Sequence, residues 1–328
     1  MSEFGFYQKK AKAVLKEVKK SVIGKDETIC KVMMALLARG HVLIEDIPGV
    51  GKTTMALAFA KALGLECNRM QFTPDVMPSD ILGFTMYNKA TNKFEYKQGA
   101  AMCNIFLADE INRTSPKTQS ALLQVMEEGM ITVDGKSTKL PDPFMVLATQ
   151  NPLGSAGTQK LPESQLDRFM IKISMGYPSV ADEISILRNK QESDVKIKSE
   201  TVITEEEFKG LRETVDKVFV DDSVLEYVAN IAKATRNSSD ILQGISPRGS
   251  VAIVAMSKAM AFLRGHEYVL PSDVQYVITD TVSHRIVLNK GLRRSNLTEK
   301  EIIATIMNSV PAPTISVEHL IITFQQLV

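Results

Sequence analysis

Ile44-Glu-Asp-Ile-Pro-Gly-Val-Gly-Lys-Thr-Thr54 is the stretch that decides the fold. The apolar run His41–Ile44 leads into it and predicts a buried strand, and the Ala/Leu-rich run Met55–Leu63 leads out and predicts a helix. Strand, glycine-bearing loop and helix in this order are typical of a loop that cradles phosphate groups. We call Glu45–Thr54 the glycine loop. The alternative at this point is an ordinary glycine turn before a surface helix.

The residue types of the glycine loop suit a nucleoside triphosphate. Gly49 and Gly51 let the backbone bend so that N–H groups converge on an anion, and the following helix N-terminus adds partial positive charge. Lys52 is placed to reach the β- and γ-phosphates, and the Thr53 hydroxyl to bind Mg²⁺. The general pattern has a glycine at position 46, where this chain has Asp46. The loop residues predicted to contact nucleotide are Gly49, Val50, Gly51, Lys52, Thr53 and Thr54.

A second and a third strand end in polar side chains of matching chemistry. The apolar run that closes with Asp109-Glu110 predicts a strand buried on both faces, as in a parallel sheet. Ligands bind outside the carboxyl ends of such strands. Asp109 is suited to hold Mg²⁺ and Glu110 to orient and deprotonate water; a solvated strand end is the alternative. Phe144–Thr149 predicts another strand, after which Asn151 can bind a γ-phosphate or water, unless Asn-Pro only initiates a turn.

The composition fits a globular protein of 328 residues, with 44% hydrophobic residues and a formal net charge of +1. A charge so close to zero gives no indication of binding to nucleic acid or to a membrane surface. The 3 cysteines are widely spaced, which favours reduced thiols in a cytoplasmic protein over disulfides or a zinc site. No stretch resembles a signal peptide or approaches the ~20 apolar residues that span a bilayer, so we expect no membrane insertion.

Changes of periodicity along the chain predict two domains, 1–177 and 178–328. The first is an α/β domain with a small inserted hairpin in 73–99 and a second hairpin in 130–140 that turns at Asp134-Gly135. From Pro178 onward only amphipathic helices are predicted. Val22 and Ile23 lie in a break between two N-terminal helices, where they could pack on an adenine ring; plain helix punctuation is the alternative.

Five motifs in this order resemble those of the MoxR family of AAA+ ATPases and span about Val22 to Gly249. They are Glu45–Thr54, Leu107-Ala-Asp-Glu-Ile-Asn-Arg113, Ala148-Thr-Gln-Asn-Pro152, Leu166-Asp-Arg-Phe169 and Ser246-Pro-Arg-Gly249. The resemblance implies a P-loop AAA+ parallel sheet flanked by helices, followed by a smaller all-α lid domain. It also implies that 73–99 is a helix-2 insert and 130–140 a pre-sensor-1 hairpin. Asp46 is similar to what MoxR-type loops carry.

The resemblance assigns roles to individual residues. It implies that Lys52 and Thr53 are the Walker A residues, Asp109 and Glu110 the Walker B residues, and Asn151 sensor 1. Arg168 resembles the arginine finger that serves a neighbouring subunit. From the residues beside it we expect Phe169 to anchor that turn in the core, and Asp167 can orient the guanidinium. Arg248 resembles sensor 2 of the lid. Gly249 stands where we expect alanine, and glycine costs up to ~1 kcal/mol at the start of a helix.

The implied activity is Mg²⁺-dependent ATP hydrolysis by a ring, most simply a hexamer, that remodels or activates a partner protein. MoxR-like proteins are typically encoded with von Willebrand factor A domain proteins, which suggests the partner class. Two other functions stay open: a magnesium-chelatase-type ATPase subunit, and a nucleotide-switched scaffold with little turnover, against which an intact Glu110 argues. DNA translocation is disfavoured, because we see no basic stripe interleaved with aromatics, and aromatic residues make up 6% with no Trp.

Overall fold

The computed structural model describes residues 2–47, 49–151, 158–192, 197–289 and 297–314. Pro48 of the glycine loop and Pro152 of the sensor 1 motif lie outside the described residues. Contacts group the chain into two compact units: a sheet unit, Lys9–Leu211, and a helical unit, Met1–Gln8 with Arg212–Val328. The domain boundary predicted after residue 177 stays a prediction.

Helices and strands are interspersed up to β9, and the later elements are mostly helices. The first part comprises α1 Glu3–Lys19, α2 Asp26–Leu37, β1 Val42–Glu45, α3 Lys52–Leu63, β2 Cys67–Gln71, α4 Pro78–Leu82, β3 Gly83–Asn88, β4 Lys93–Gln98, β5 Ile105–Asp109, α5 Pro116–Glu128, β6 Met130–Val133, β7 Lys136–Lys139, β8 Met145–Gln150, α6 Glu163–Leu166 and β9 Ile171–Ile173. The second part comprises α7 Val180–Glu192, α8 Glu205–Asp216, α9 Asp222–Asn237, β10 Ile241–Gln243, α10 Pro247–Arg264, α11 Pro271–Val282, β11 Val287–Leu288 and α12 Glu299–Ser309.

Five parallel strands form the central sheet in the order β2-β5-β8-β1-β9. Every residue of β5 is buried, as are the first five of β8 and the first three of β1. This burial explains their continuous apolar sequences, because helices cover both faces of such a sheet. The predicted parallel α/β fold is confirmed, and all five strands have their carboxyl ends on the same side of the sheet. We call that side the carboxyl edge, and the opposite side, where the strands begin, the amino edge.

Both predicted hairpins form as separate antiparallel ribbons. β3 and β4 pair from Gly83–Gln98 to Asn88–Lys93, after the short helix α4. β6 and β7 pair across a tight turn in which Asp134 has φ +50° and Gly135 has φ +75°. Positive φ at two successive residues is what a two-residue hairpin turn requires, which is why Asp-Gly predicted it.

His41 joins the amino edge of the sheet to α5. Its Nδ1 accepts the N–H of Val146, 3.0 Å away, and its Nε2 lies 3.0 Å from the carbonyl oxygen of Met126. Burial lowers the pKa of this ring to about 4, so it is neutral and its Nε2–H donates to Met126. The last turn of α5 is thereby fixed beside the first residue of β1.

The helical unit differs from the sequence prediction in containing a small antiparallel ribbon, in which β10 pairs with β11. Strands of three and two residues are too short to give a periodic pattern. Buried Ile241 and Leu288 pair in this ribbon and contribute to the core. The predicted helical lid is confirmed, and the short ribbon is an addition that the sequence prediction lacked.

Gly249 has a packing reason that the sequence did not disclose. A Cβ at this position would lie 2.7 Å from Cγ2 of Ile245 and 3.1 Å from Cδ of Arg285, so glycine admits the buried Arg285 side chain beside the start of α10. The Ser246 hydroxyl caps the helix by accepting the Gly249 N–H at 3.1 Å. The cap offsets part of the low helix propensity of glycine.

Among the described residues, no helix is long and apolar enough to cross a bilayer.

Candidate functional site

The candidate site lies at the carboxyl edge of the sheet, where β5, β8 and β1 are neighbours. Ile44 of β1 is in register with Thr149 of β8, and Ala108 of β5 with Ala148. The residues that follow these positions therefore meet at one edge. The structure brings together the glycine loop, Asp109-Glu110 and Asn151, three segments that the sequence placed only by analogy with other parallel sheets.

Two glycines of the glycine loop adopt a backbone conformation that other residues rarely take. Gly49 and Gly51 have φ +89° and +97°, and Gly51 caps the first turn of α3. Among the described residues, a Cβ at Gly49 would meet no atom within 4 Å, and a Cβ at Gly51 would meet only the Met175 methyl, at 3.9 Å, so these residues leave the space beside both glycines open. Thr53 follows Lys52 in the first turn of α3, and Val50 and Thr54 flank them, all partly exposed apart from Lys52.

Lys52 is buried, and its ammonium donates to the carbonyl oxygens of Asp46 at 3.1 Å and Ile47 at 3.3 Å. Burial lowers the pKa of Lys52, while the negative charges of Asp109, Asp46 and Glu110 act to raise it, with a net lowering. A desolvated ammonium bonded only to neutral carbonyls among these contacts can exchange them for phosphate oxygens. The arrangement suits binding of an anion in front of Lys52.

Asp46, the departure from the general loop pattern, ties the glycine loop to the end of β9. Its Oδ2 accepts the N–H groups of Met175 at 2.6 Å and Gly176 at 2.7 Å and the Ser174 hydroxyl at 3.0 Å, and its Oδ1 accepts the Ile47 N–H at 2.9 Å. Burial raises the pKa of this carboxyl, but the four hydrogen bonds outweigh it and hold the pKa below its usual value. Asp46 is therefore a charged structural anchor.

Lys25 also binds the segment that follows β9. Its ammonium donates to three consecutive carbonyl oxygens, at residues 175–177, over 2.7, 3.0 and 2.9 Å. Val22, which is buried, and Ile23, which is partly buried, precede it in the turn between α1 and α2. The contacts fix this turn near the glycine loop, and packing of Val22 and Ile23 on an adenine ring stays a prediction.

Asp109 is held by two neighbouring strands. Its Oδ1 accepts the Thr149 hydroxyl at 2.5 Å, and its Oδ2 lies 2.8 Å from an Nη of Arg69 on β2. The same Thr149 oxygen accepts the N–H of Glu110 at 2.8 Å. The Asp109 side chain is 12% exposed, so its oxygens face a restricted space. Carboxylate and hydroxyl oxygens suit Mg²⁺, which usually takes one or two protein ligands and keeps phosphate oxygens and water for the rest.

Glu110 and Asn151 form a pair at the mouth of the site. Asn151 Nδ2 donates to Glu110 Oε1 at 3.0 Å, and an Nη of Arg113 lies 2.9 Å from Oε2. Asn112 fixes the backbone of Asn151 through two hydrogen bonds, of 3.1 and 3.3 Å. The buried Asn151 Oδ1 has no hydrogen-bond partner among the described residues. An acceptor of this kind beside a carboxylate suits a bound water molecule.

Arg168 lies at the opposite edge of the sheet from the glycine loop. It precedes Met170, whose N–H donates to the carbonyl of His41 at 2.8 Å, just before β1 begins. The glycine loop follows the other end of β1, about 13 Å further along for four residues. Buried Phe169 anchors the turn as expected, but Arg168 forms its ion pair with Glu127, at 3.0 Å, rather than with Asp167.

Arg248 is the second residue of α10 in the helical unit and is exposed.

Comparisons with known proteins agree with this architecture. The profile of the ATPase family associated with various cellular activities (AAA) matches residues 41–171, and an AAA lid domain profile matches residues 233–306. The chaperone MoxR1 of Mycobacterium tuberculosis is 36% identical over 92% of this chain and 81% of its own length. This chain belongs to the MoxR family. The protein YeaC of Bacillus subtilis is 47% identical over 91% of this chain and 93% of its own length.

A solved structure supports the same placement of the MoxR chain. The crystal structure of a Cytophaga hutchinsonii protein, named as a candidate ATPase, superposes with a TM-score of 0.90 at 36% identity and covers 95% of this chain and 97% of that one. The roles of individual residues in this MoxR chain stay predictions.

Sequence reasoning missed four polar residues that support the site. Thr149 and Asn112 lie inside quoted motifs. Arg69 and Lys25 carry no local sign of their contacts.

Replacing Asp46 by glycine is expected to destabilise the MoxR chain, although it restores the general loop pattern. Two N–H groups, of Met175 and Gly176, would lose their acceptor, at a cost on the order of 3 kcal/mol. Urea unfolding followed by circular dichroism measures the change. A glycine variant as stable as the native chain would show that the carboxylate is not an anchor.

The Asp46→Asn variant isolates the charge because it keeps the side-chain size. A carboxyl whose folded pKa lies below its unfolded value, about 3.9 for Asp, stabilises the fold fully above that value. This stabilisation is lost as the pH falls through the lower folded pKa. The difference in unfolding free energy between native and Asp46→Asn chains should thus be constant above about pH 5 and shrink below about pH 4.

Proposed function

We propose that the chain binds ATP and Mg²⁺ at the glycine loop and hydrolyses ATP to ADP and phosphate within a ring of subunits. The observation that carries this proposal is the meeting of buried Lys52, Asp109 and the Glu110–Asn151 pair at one edge of the sheet. Membership of an ATPase family supports the reaction class.

The residues present fit both ligands. The Thr53 hydroxyl and the Asp109 carboxylate would hold Mg²⁺, which when bound neutralises charge on the phosphate oxygens. The open space beside Gly49 and Gly51 leaves room for phosphates on the loop N–H groups. Lys52 would contribute a desolvated positive charge to the β- and γ-phosphates.

Glu110 and Asn151 are proposed to handle the attacking water. A carboxylate oxygen of Glu110 would accept its proton. The Oδ1 of Asn151, which has no partner among the described residues, would accept its other O–H and fix its direction. Asn151 Nδ2 and Arg113 each occupy one acceptor site of the Glu110 carboxylate, one on each oxygen. Each oxygen can accept a second hydrogen bond, so Glu110 could bind the water while it keeps both contacts.

A ring, most simply a hexamer, is proposed because of the position of Arg168. An arginine at the amino edge of the sheet cannot reach a nucleotide on its own glycine loop at the carboxyl edge. A neighbouring subunit can bring its pocket to that arginine. Arg248 is proposed to report the γ-phosphate from the lid, as the family resemblance implies.

The ring is proposed to remodel or activate a partner protein in the cytoplasm, with von Willebrand factor A domain proteins as the first class to test. The name chaperone carried by the relative MoxR1 supports action on proteins. Among the described residues no two cysteines are joined by a disulfide, which agrees with a reducing compartment.

The test of the proposed activity is phosphate release from ATP, which Lys52→Ala should abolish together with ATP binding. The variant loses the ammonium placed against the β- and γ-phosphates, and binding of a fluorescent ATP analogue measures the affinity. Lys61→Ala is the matched control, because Lys61 is exposed in the last turn of the same helix α3. Affinity within a few-fold of native for Lys52→Ala would contradict the proposal.

ATP with Mg²⁺ is expected to promote ring assembly, because a nucleotide that touches two subunits binds the assembled state better. Sedimentation velocity at several protein concentrations measures the distribution of species. The Lys52→Ala chain should not respond to ATP in the same experiment. Native protein that stays monomeric at all concentrations with ATP would contradict the proposed ring.

A further inference from the structure

A carboxylate on α5 holds Arg168 within its own chain. An Nη of Arg168 lies 3.0 Å from Oε2 of Glu127, with the side chains 29% and 41% exposed. Glu127 stands in the last turn of α5, where a negative charge opposes the helix dipole. A partly exposed ion pair contributes little to folding. Within this chain the contact sets the direction of the Arg168 guanidinium.

The first turn of α5 is built onto the turn that carries Glu110. Ser115 caps the helix, and Gln119, one turn further, sends its buried side-chain amide back to the carbonyl oxygens of Ile111 at 3.1 Å and Thr114 at 3.3 Å. The helix and this turn are thus joined by side-chain as well as main-chain bonds. A displacement of the turn has to displace the start of the helix.

Hydrogen bonds continue the connection to the nucleotide side. Asn112, in the same turn, holds the backbone of Asn151, whose amide in turn donates to Glu110. From its capped start α5 runs 13 residues, or about 20 Å, toward the amino edge of the sheet. There the Met126 carbonyl is fixed to His41, and Glu127 meets Arg168. One rigid helix links the two edges.

We propose that Glu127 is a positioning residue for Arg168, and that α5 makes this positioning depend on the nucleotide site of the subunit that donates the arginine. The proposal rests on the proposed function, in which Arg168 serves the neighbouring subunit. Occupation of the donor's own site would engage Glu110 and Asn151 and shift the turn at the start of α5. Glu127 would carry that shift to the guanidinium that the neighbour uses.

The test uses mixed rings in which only one kind of pocket can work. Arg168→Ala subunits keep a complete pocket but offer no arginine, and Lys52→Ala subunits offer an arginine but have an empty pocket. Adding Glu127→Ala to the Lys52→Ala donor should lower the restored hydrolysis roughly tenfold, because a misplaced group loses about that much or more. Glu128→Ala in the donor is the matched control: Glu128 is the exposed neighbour that bonds only Gln124 among the recorded contacts. Glu127→Asp should restore part of the rate.

Comparison of occupied and empty donors tests the link through α5. Glu110→Gln donors are expected to hold ATP, and Lys52→Ala donors none; with the same Arg168→Ala partner the two should differ in restored rate by about fivefold or more. Adding Glu127→Ala to both donors should remove that difference.

Each outcome bears on the proposal. Equal effects of Glu127→Ala and Glu128→Ala, or equal rates with occupied and empty donors, would overturn it while leaving the arginine's role in trans intact. Absence of any restored hydrolysis with unaltered Glu127, in rings shown to co-assemble, would overturn the proposed function and this inference together. Melting temperatures of the single variants separate loss of positioning from loss of fold.

Discussion

Glu110→Gln is expected to bind ATP as tightly as the native chain and to hydrolyse it at least ~10²-fold more slowly, the scale of losing a general base. Glutamine keeps the shape of the side chain and an oxygen that can accept from Asn151, 3.0 Å away, but has no basic oxygen for a water proton. Glu110 has φ +58°, which glutamine tolerates no worse than glutamate does. The change therefore removes chemistry and leaves the backbone as it is.

Single-turnover phosphate release and equilibrium ATP binding measure the two halves of this expectation separately. Glu128→Gln, the same substitution at an exposed position of α5, is the control for loss of a surface charge. Near-native turnover of Glu110→Gln would mean that another group takes the proton from water.

The same variant with ATP should hold a client protein in its bound state, so a tagged pull-down with and without ATP would show the partner class.

Arg168→Ala is expected to lose hydrolysis by ~10³-fold or more while keeping its affinity for ATP. A guanidinium placed against the transferring phosphoryl group stabilises charge that spreads over its oxygens, and alanine leaves that charge unopposed. Affinity should persist because Arg168 lies at the edge of the sheet away from its own glycine loop. Phe169, fully buried beside it, keeps the turn in place in the variant.

Mixing decides whether Arg168 acts in a neighbouring pocket. Arg168→Ala and Lys52→Ala chains should each be inactive alone, and mixed rings should recover activity where an intact pocket meets an intact arginine. A chain with Arg168→Lys, tested alone, should hydrolyse ATP little faster than the Arg168→Ala chain, since an ammonium lacks the planar fork of a guanidinium. No recovery in rings shown to co-assemble would remove the assignment in trans and with it most of the case for an obligate ring.

The sequence by itself determined the parts of this protein that depend on local chemistry. Buried parallel strands are continuous apolar runs, so β1, β5 and β8 could be predicted with their polar ends. Asp134-Gly135 predicted a hairpin because two successive positive φ angles need those residue types. The ordered motifs added the family and the candidate roles of Lys52, Asp109, Glu110, Asn151, Arg168 and Arg248.

Only the tertiary structure decided which distant groups meet. Asp46 is 129 residues from Met175, and Lys25 is 150 residues from the same segment, yet both hold it. Strand order and register set these distances, and neither leaves a trace in the residues nearby. The same holds for Thr149 beside Asp109, for Arg285 beside Gly249, and for Glu127 beside Arg168. Side-chain contacts between elements far apart in sequence depend on how the elements pack, which is why local pattern could not predict these pairs.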